Sequence, residues 1–128
     1  MTSLGFSTGV DLVDCGRIAR MLRDDTTFVQ LAFTHAERQD CGKDAERLAV
    51  RWAAKEATMK ALGRGIGAIA PLDIEVGHEH DGAPTLTLAG SAKARADELG
   101  VTQWSLSLSH EAGFAVAFVI MMKGEADV

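Results

Sequence analysis

The run Phe114–Met122 contains nine consecutive apolar residues and no charge. Laid out as a strand it is apolar on both faces, and such a strand needs cover on both sides. Helices from a chain of 128 residues can cover one face. The other would have to be covered by another subunit, so an oligomer is expected. The segment before it, Trp104–His110, alternates: Trp104, Leu106, Leu108 and His110 share one face, and Ser105, Ser107 and Ser109 the other. Glu111-Ala-Gly113 turns the chain between the two.

The second constraint is a helix expected from about Asp44 to Gly63. Good helix formers fill it without a proline, and Gly63 is placed for a left-handed cap. On a helical wheel Leu48, Trp52 and Met59 form one apolar stripe, widened by Ala49, Val50, Ala53, Ala57 and Ala61. Arg47, Arg51, Lys55 and Thr58 fall on the other side. Glu56 and Lys60 break the pattern, falling about 80° and 120° from Leu48, inside the apolar arc. One reading is a solvated i,i+4 ion pair; the other is a carboxylate and an ammonium aimed into a site. The following Gly63-Arg-Gly-Ile-Gly67 is a poor dinucleotide fingerprint, because the glycines follow a helix and no strand precedes them. A helix cap with a flexible loop and a phosphate-cradling turn both remain open.

Elsewhere the order is readable from local chemistry. Gly9–Val13 reads as a short strand whose Asp11 is either an exposed edge position or a metal ligand. Asp14 can cap a helix running to about Leu22 or Arg23. Its apolar side is Cys15, Ile18, Met21 and Leu22. Its other side carries Arg17, Arg20 and Arg23, either a solvated face or a surface for an acidic partner. After a break at Asp24–Thr27 comes a short apolar helix or turn over Phe28–Phe33, and Thr34 with Glu37 forms a capping box for another helix. Leu72–Val76 and Pro84–Leu88 read as a hairpin with its turn near His80-Asp-Gly, His78 and His80 being solvated at the tip. Ser91 is expected to cap a helix reaching Leu99, closed by Gly100. His110 on its apolar face reads, by pattern alone, as a hydrogen-bonded core histidine.

These elements predict an α+β fold, several helices with one long, against a mostly antiparallel sheet. It would be a single domain over 1–128, with a loose polar tail from about Lys123. The net charge of −5 argues against binding nucleic acid through its phosphates, and no apolar run reaches membrane-spanning length. The start, MTSLGFSTGV, lacks a basic region followed by an apolar one, so a cytoplasmic location is expected, with Cys15 and Cys41 as free thiols.

Four segments in order carry a resemblance: Gly9-Val-Asp-Leu-Val13, Thr34-His-Ala-Glu37, Trp52-Ala-Ala-Lys-Glu-Ala-Thr-Met-Lys60 with the glycine turn behind it, and Ser107-Leu-Ser-His110. Together they resemble the small holo-acyl-carrier-protein synthase type of the 4′-phosphopantetheinyl transferases. The resemblance implies transfer of the 4′-phosphopantetheine arm from coenzyme A to a serine of an apo acyl carrier protein, releasing adenosine 3′,5′-bisphosphate. It implies Asp11 and Glu56 as ligands of Mg2+ at the coenzyme A pyrophosphate and Lys60 opposite the phosphoryl charge. Glu56 is also the candidate base for the serine proton. His110 and the turn at Gly63, Arg64 and Gly65 would position the nucleotide. Arg17, where the family also has arginine, would meet the acidic carrier of fatty-acid or polyketide synthesis, and Arg20 and Met21 are added to it from the same helix. Family members of this size resemble homotrimers with sites at subunit interfaces. Two positions depart from the pattern: Trp52 stands where many members have Phe, and Arg64 where a small polar residue is common. A carrier-binding module without catalysis and a coenzyme A sensor are the rival readings.

Overall fold

The computed structural model describes residues 5–124. Strand β5 (Phe114–Lys123) lies in the middle of a three-stranded antiparallel sheet, between β1 (Gly5–Asp14) and β4 (Val101–Glu111). In register, Ala117 faces Asp11 on one side and Leu108 on the other. The pleat sorts β5 into two sets. Ala115, Ala117, Val119 and Met121 are fully buried beneath a helix, whereas Phe114 and Phe118 remain exposed on the opposite face. That open face continues onto β1 with Phe6 and Leu12, 68% and 66% exposed. Lys123 completes β5, so the strand runs further than a tail starting at Lys123 would allow; residues 125–128 of that tail lie outside the described residues.

The helix over the inner face is α4 (Ala45–Leu62). The remaining helices are α1 (Cys15–Asp24), α2 (Phe28–Ala32), α3 (His35–Cys41) and α5 (Gly90–Leu99). Asp44 caps α4, its carboxylate accepting from the amides of Glu46 and Arg47. Gly63 ends it in the left-handed conformation at φ 69°. Against β1 the packing is backbone on backbone: a Cβ on Gly9 would lie 1.8 Å from the Ala57 carbonyl oxygen. Only glycine permits this approach.

α4 is buried nearly all round, which corrects the wheel. Lys55 and Thr58, placed on the polar side, are 0% exposed, and Arg51 is also buried. The reason is that α3, a 3-10 turn at Pro71–Asp73 and strand β2 (Ile74–His78) cover that side and supply partners. Lys55 Nζ lies 2.8 Å from Glu37 Oε1 and donates to the carbonyls of Pro71, at 2.9 Å, and Ile74. The Thr58 hydroxyl donates to Ala54 O at 2.7 Å.

Local signals elsewhere map closely. Asp14 caps α1 through the Gly16 amide, and the Thr34–Glu37 capping box forms in full. Edge-to-face contacts join Phe28, Phe33 and Trp52. Strand β2 pairs with β3 (Pro84–Leu88) as a separate two-stranded ribbon, tied to β4 where Trp104 Nε1 donates to Leu86 O. Three expectations shift. Pro71 presets a 3-10 turn, so β2 starts at Ile74 rather than Leu72. Ser91 lies inside α5 instead of capping it. Its amide and hydroxyl both donate to the carboxylate of Asp73, at 2.8 and 2.6 Å. His78 Nε2 reaches Asp40 at 3.3 Å rather than facing only solvent. Cys15 and Cys41 are free thiols. Among the described residues no helix is long and apolar enough to cross a membrane.

Candidate active site

The C-terminal end of α4 opens into a recess of about 270 Å3 lined by Glu56, Met59, Lys60, Gly63, Arg64 and Gly65. Glu56 and Lys60 share this wall because they are one helical turn apart. They do not pair with each other. Lys60 Nζ reaches across to β1, donating to Asp11 Oδ1 at 3.0 Å and Val10 O at 2.9 Å. Asp11 can be reached because the pleat turns it toward α4, alongside Gly9 and Val13; it is not an outward edge residue.

Electrostatics tie the cluster together. Burial pushes the Glu56 carboxyl above its ordinary value, the negative charge of Asp11 pushes it further, and Lys60 and Arg17 oppose the rise. Two carboxylates from separate elements thus repel each other on a half-buried wall. A divalent cation relieves that repulsion, and hard oxygen donors suit magnesium. Among the described residues no group of three or more His, Cys, Asp or Glu converges, so a cation held here would draw at most two of these side chains from the protein. Phosphate oxygens and water would complete it, as is common for magnesium.

Beyond the helix end, Gly63 and Gly67 adopt positive φ, and the amides of Ala68 and Ile69 close the turn onto Gly65 O. Arg64 is exposed and its Nη1 donates to Gly63 O at 3.1 Å. Arg17, Arg20 and Arg23 are exposed along α1, with Met21 half-buried between them and the core. The charge of Arg17 felt at Glu56 places one end of this basic face beside the recess.

His110 is not brought into this cluster within one chain. It is exposed, opposite Ala115 on β5, and its Nδ1 lies 3.2 Å from Glu46 Oε1 in the first turn of α4. Glu46 and Lys60 are fourteen residues apart, about 21 Å along a helix. His110 is therefore neither a core histidine nor a neighbour of Asp11.

Two features escaped the pattern reading. Arg51, from the same helix, lines a second recess with His78, Gly77 and Leu108; it pairs with Asp40, and its Nε is buried without a partner. Arg95 on α5 donates from Nε to Leu62 O at 2.9 Å, at the very end of α4. Neither has a spacing signal, since both depend on elements meeting from afar.

Known proteins resemble the chain over most of its length. The family model of the 4′-phosphopantetheinyl transferase superfamily matches residues 7–119. A holo-[acyl-carrier-protein] synthase of Herpetosiphon aurantiacus is 46% identical over 123 residues, covering 90% of this chain and 97% of that protein. The crystal structure of Helicobacter pylori holo-[acyl-carrier-protein] synthase in complex with coenzyme A superposes with a TM-score of 0.80 at 34% identity, covering 89% of this chain and 98% of that one. The Plasmodium yoelii holo-ACP-synthase superposes at 0.84 with 26% identity, covering 95% and 98%. Matched by the family model over residues 7–119 and 46% identical to a holo-[acyl-carrier-protein] synthase along nearly its whole length, the chain belongs to the 4′-phosphopantetheinyl transferase superfamily.

Proposed function

We propose that this protein is a holo-acyl-carrier-protein synthase, one transferase domain acting in the cytoplasm. It moves the 4′-phosphopantetheine group of coenzyme A to a serine of an apo acyl carrier protein. The observation that carries the reading is the recess lined by Glu56 and Lys60, with Asp11 bonded to Lys60 and the charges of Asp11 and Arg17 acting on Glu56. The serine oxygen attacks the phosphorus bearing pantetheine, the diphosphate bond to adenosine 3′,5′-bisphosphate breaks, and the serine proton is lost.

Each residue has a physical task. Asp11 and Glu56 would hold magnesium, which when bound offsets diphosphate charge and stabilises the leaving phosphate. Lys60, held by Asp11 and the Val10 carbonyl, offsets charge on the phosphoryl oxygens. Glu56 is the candidate to take the serine proton. Gly63 and Gly65 leave room for close approach, and Arg64 adds a phosphate contact. Arg17, Arg20 and Met21 dock the acidic carrier.

The assembly is a homotrimer. Phe6, Val10, Leu12, Phe114 and Phe118 form an exposed apolar face too large for a monomer to leave in water. His110 then serves the coenzyme from a neighbouring copy. Light scattering should return a trimer, and a stable monomer at micromolar concentration would refute this part. For the activity, the chain is incubated with coenzyme A, magnesium and apo carrier, and the carrier is weighed. A mass gain of one phosphopantetheine group is expected. An unmodified carrier that still binds would make the chain a docking module instead, and coenzyme A binding without carrier modification would make it a sensor.

A further inference from the structure

A helix C-terminus is the wrong end for a polyphosphate. Its last carbonyls lack intrahelical donors and together carry about half a negative charge. Yet the recess assigned to coenzyme A sits at the C-terminal end of α4. Here several of the final carbonyls have donors: Lys60 O from the Gly63 amide, Met59 O from the Arg64 amide, and Gly63 O in the turn from the Arg64 guanidinium. Leu62 O, the last carbonyl of the helix, is met by a cation from another element. Arg95 of α5 donates to it from Nε at 2.9 Å, and its Nη2 lies 3.7 Å from where a Cβ on Gly63 would stand. Glu98 holds Nη1 at 3.2 Å from the solvent side.

We infer that Arg95 is a positioning residue for coenzyme A: it pins the α4 end and its glycine turn, and its charge makes that carbonyl-rich end accept a diphosphate. It works through Leu62 and Gly63 without touching the substrate. The effect falls on binding the nucleotide and not on the carrier, whose docking face lies on α1. This rests on the coenzyme A reading of the recess.

The test compares the full-length protein with Arg95→Leu and Arg95→Lys. Steady-state constants are measured for both substrates, and coenzyme A binding is measured by calorimetry without carrier. Arg95→Leu should raise KM and Kd for coenzyme A about three- to tenfold, less at high salt, with kcat and the carrier KM within about twofold. Arg95→Lys, which keeps the charge and a donor, should recover most of the loss. Should Arg95→Leu not fold, Arg95→Gln keeps a donor for Leu62 O, loses the charge, and should show the same coenzyme-specific rise. The inference is overturned if the charge-free variants bind coenzyme A as the parent does, if the loss falls on kcat or the carrier KM, or if Arg95→Lys is as impaired as Arg95→Leu. A parent protein that binds no coenzyme A at all would overturn the functional reading as well.

Discussion

Replacing Lys55 by Met should cost far more stability than a surface charge would. Lys55 and Glu37 are both 0% exposed at their side chains, with Nζ 2.8 Å from Oε1. The ammonium also donates to Pro71 O and Ile74 O. Glu37 in turn accepts from the Thr34 amide and the Val76 amide, each at 2.8 Å. One buried pair thus joins α4, the start of α3, the 3-10 turn and β2. Without the ammonium, Glu37 keeps two backbone donors but no countercharge, and two carbonyls lose a donor. Breaking a buried pair from one side costs roughly 3–5 kcal/mol. That is a large share of the ~5–15 kcal/mol holding a typical domain, and lowers Tm by roughly 10–20 °C at this chain length. Urea unfolding followed by tryptophan fluorescence measures it, since Trp52 packs against Phe33 beside the pair. Adding Glu37→Gln should recover part of the loss, because the stranded charge goes. A Lys55→Met protein within ~1 kcal/mol of the parent, or strictly additive losses in the double variant, would refute this account of the pair.

The other predictions concern the site and its surroundings. Asp11→Asn and Glu56→Gln should each fold normally and lower transfer at least ~100-fold, since each removes an anionic ligand from a hard-cation site; full activity at ordinary magnesium would remove that residue from the site. Arg17→Glu with Arg20→Glu should raise the carrier KM, most at low salt where the lost attraction was strongest, and leave the coenzyme A constant near its parent value; an unchanged carrier KM and salt dependence would place docking elsewhere. His78 should titrate above its ordinary 6.5, raised by its bonds to the Glu79 carbonyl and Asp40. Its contribution to stability is then complete below about pH 6.5 and fades as pH rises through the folded value. Proton NMR in the parent and in Asp40→Asn checks this; an identical His78 titration in both would exclude the pair.

What was legible in the chain was what neighbours within a few residues decide. Asp14 and the Thr34–Glu37 box cap their helices as their spacing says, α4 begins just after Asp44, and Gly63 stops it in the left-handed region. The alternation of β4 and the all-apolar β5 placed the sheet. Asp11, Glu56, Lys60 and the glycine turn could be singled out as candidates because each sits in a short motif. The failures share one cause, which is distance along the chain. No wheel can say that α3 and β2 will land on the polar side of α4, so Lys55 read as exposed. Lys60 chose Asp11, 49 residues away, over Glu56 on the next turn. Asp73 reaches 18 residues forward to hold the start of α5, a task the local pattern had given to Ser91.

The separation of His110 from Lys60 along α4 has a consequence for genetics. If each working site joins the Asp11–Glu56 end of one copy to the His110 end of the next, a chain damaged at one end can be rescued by a chain damaged at the other. Glu56→Gln and His110→Ala proteins, each inactive alone, would regain transfer when refolded together. Random mixing in equal amounts restores both halves at roughly a quarter of the junctions in a closed ring. Two recessive lesions in the same gene would then complement each other, a behaviour usually taken to mean two genes.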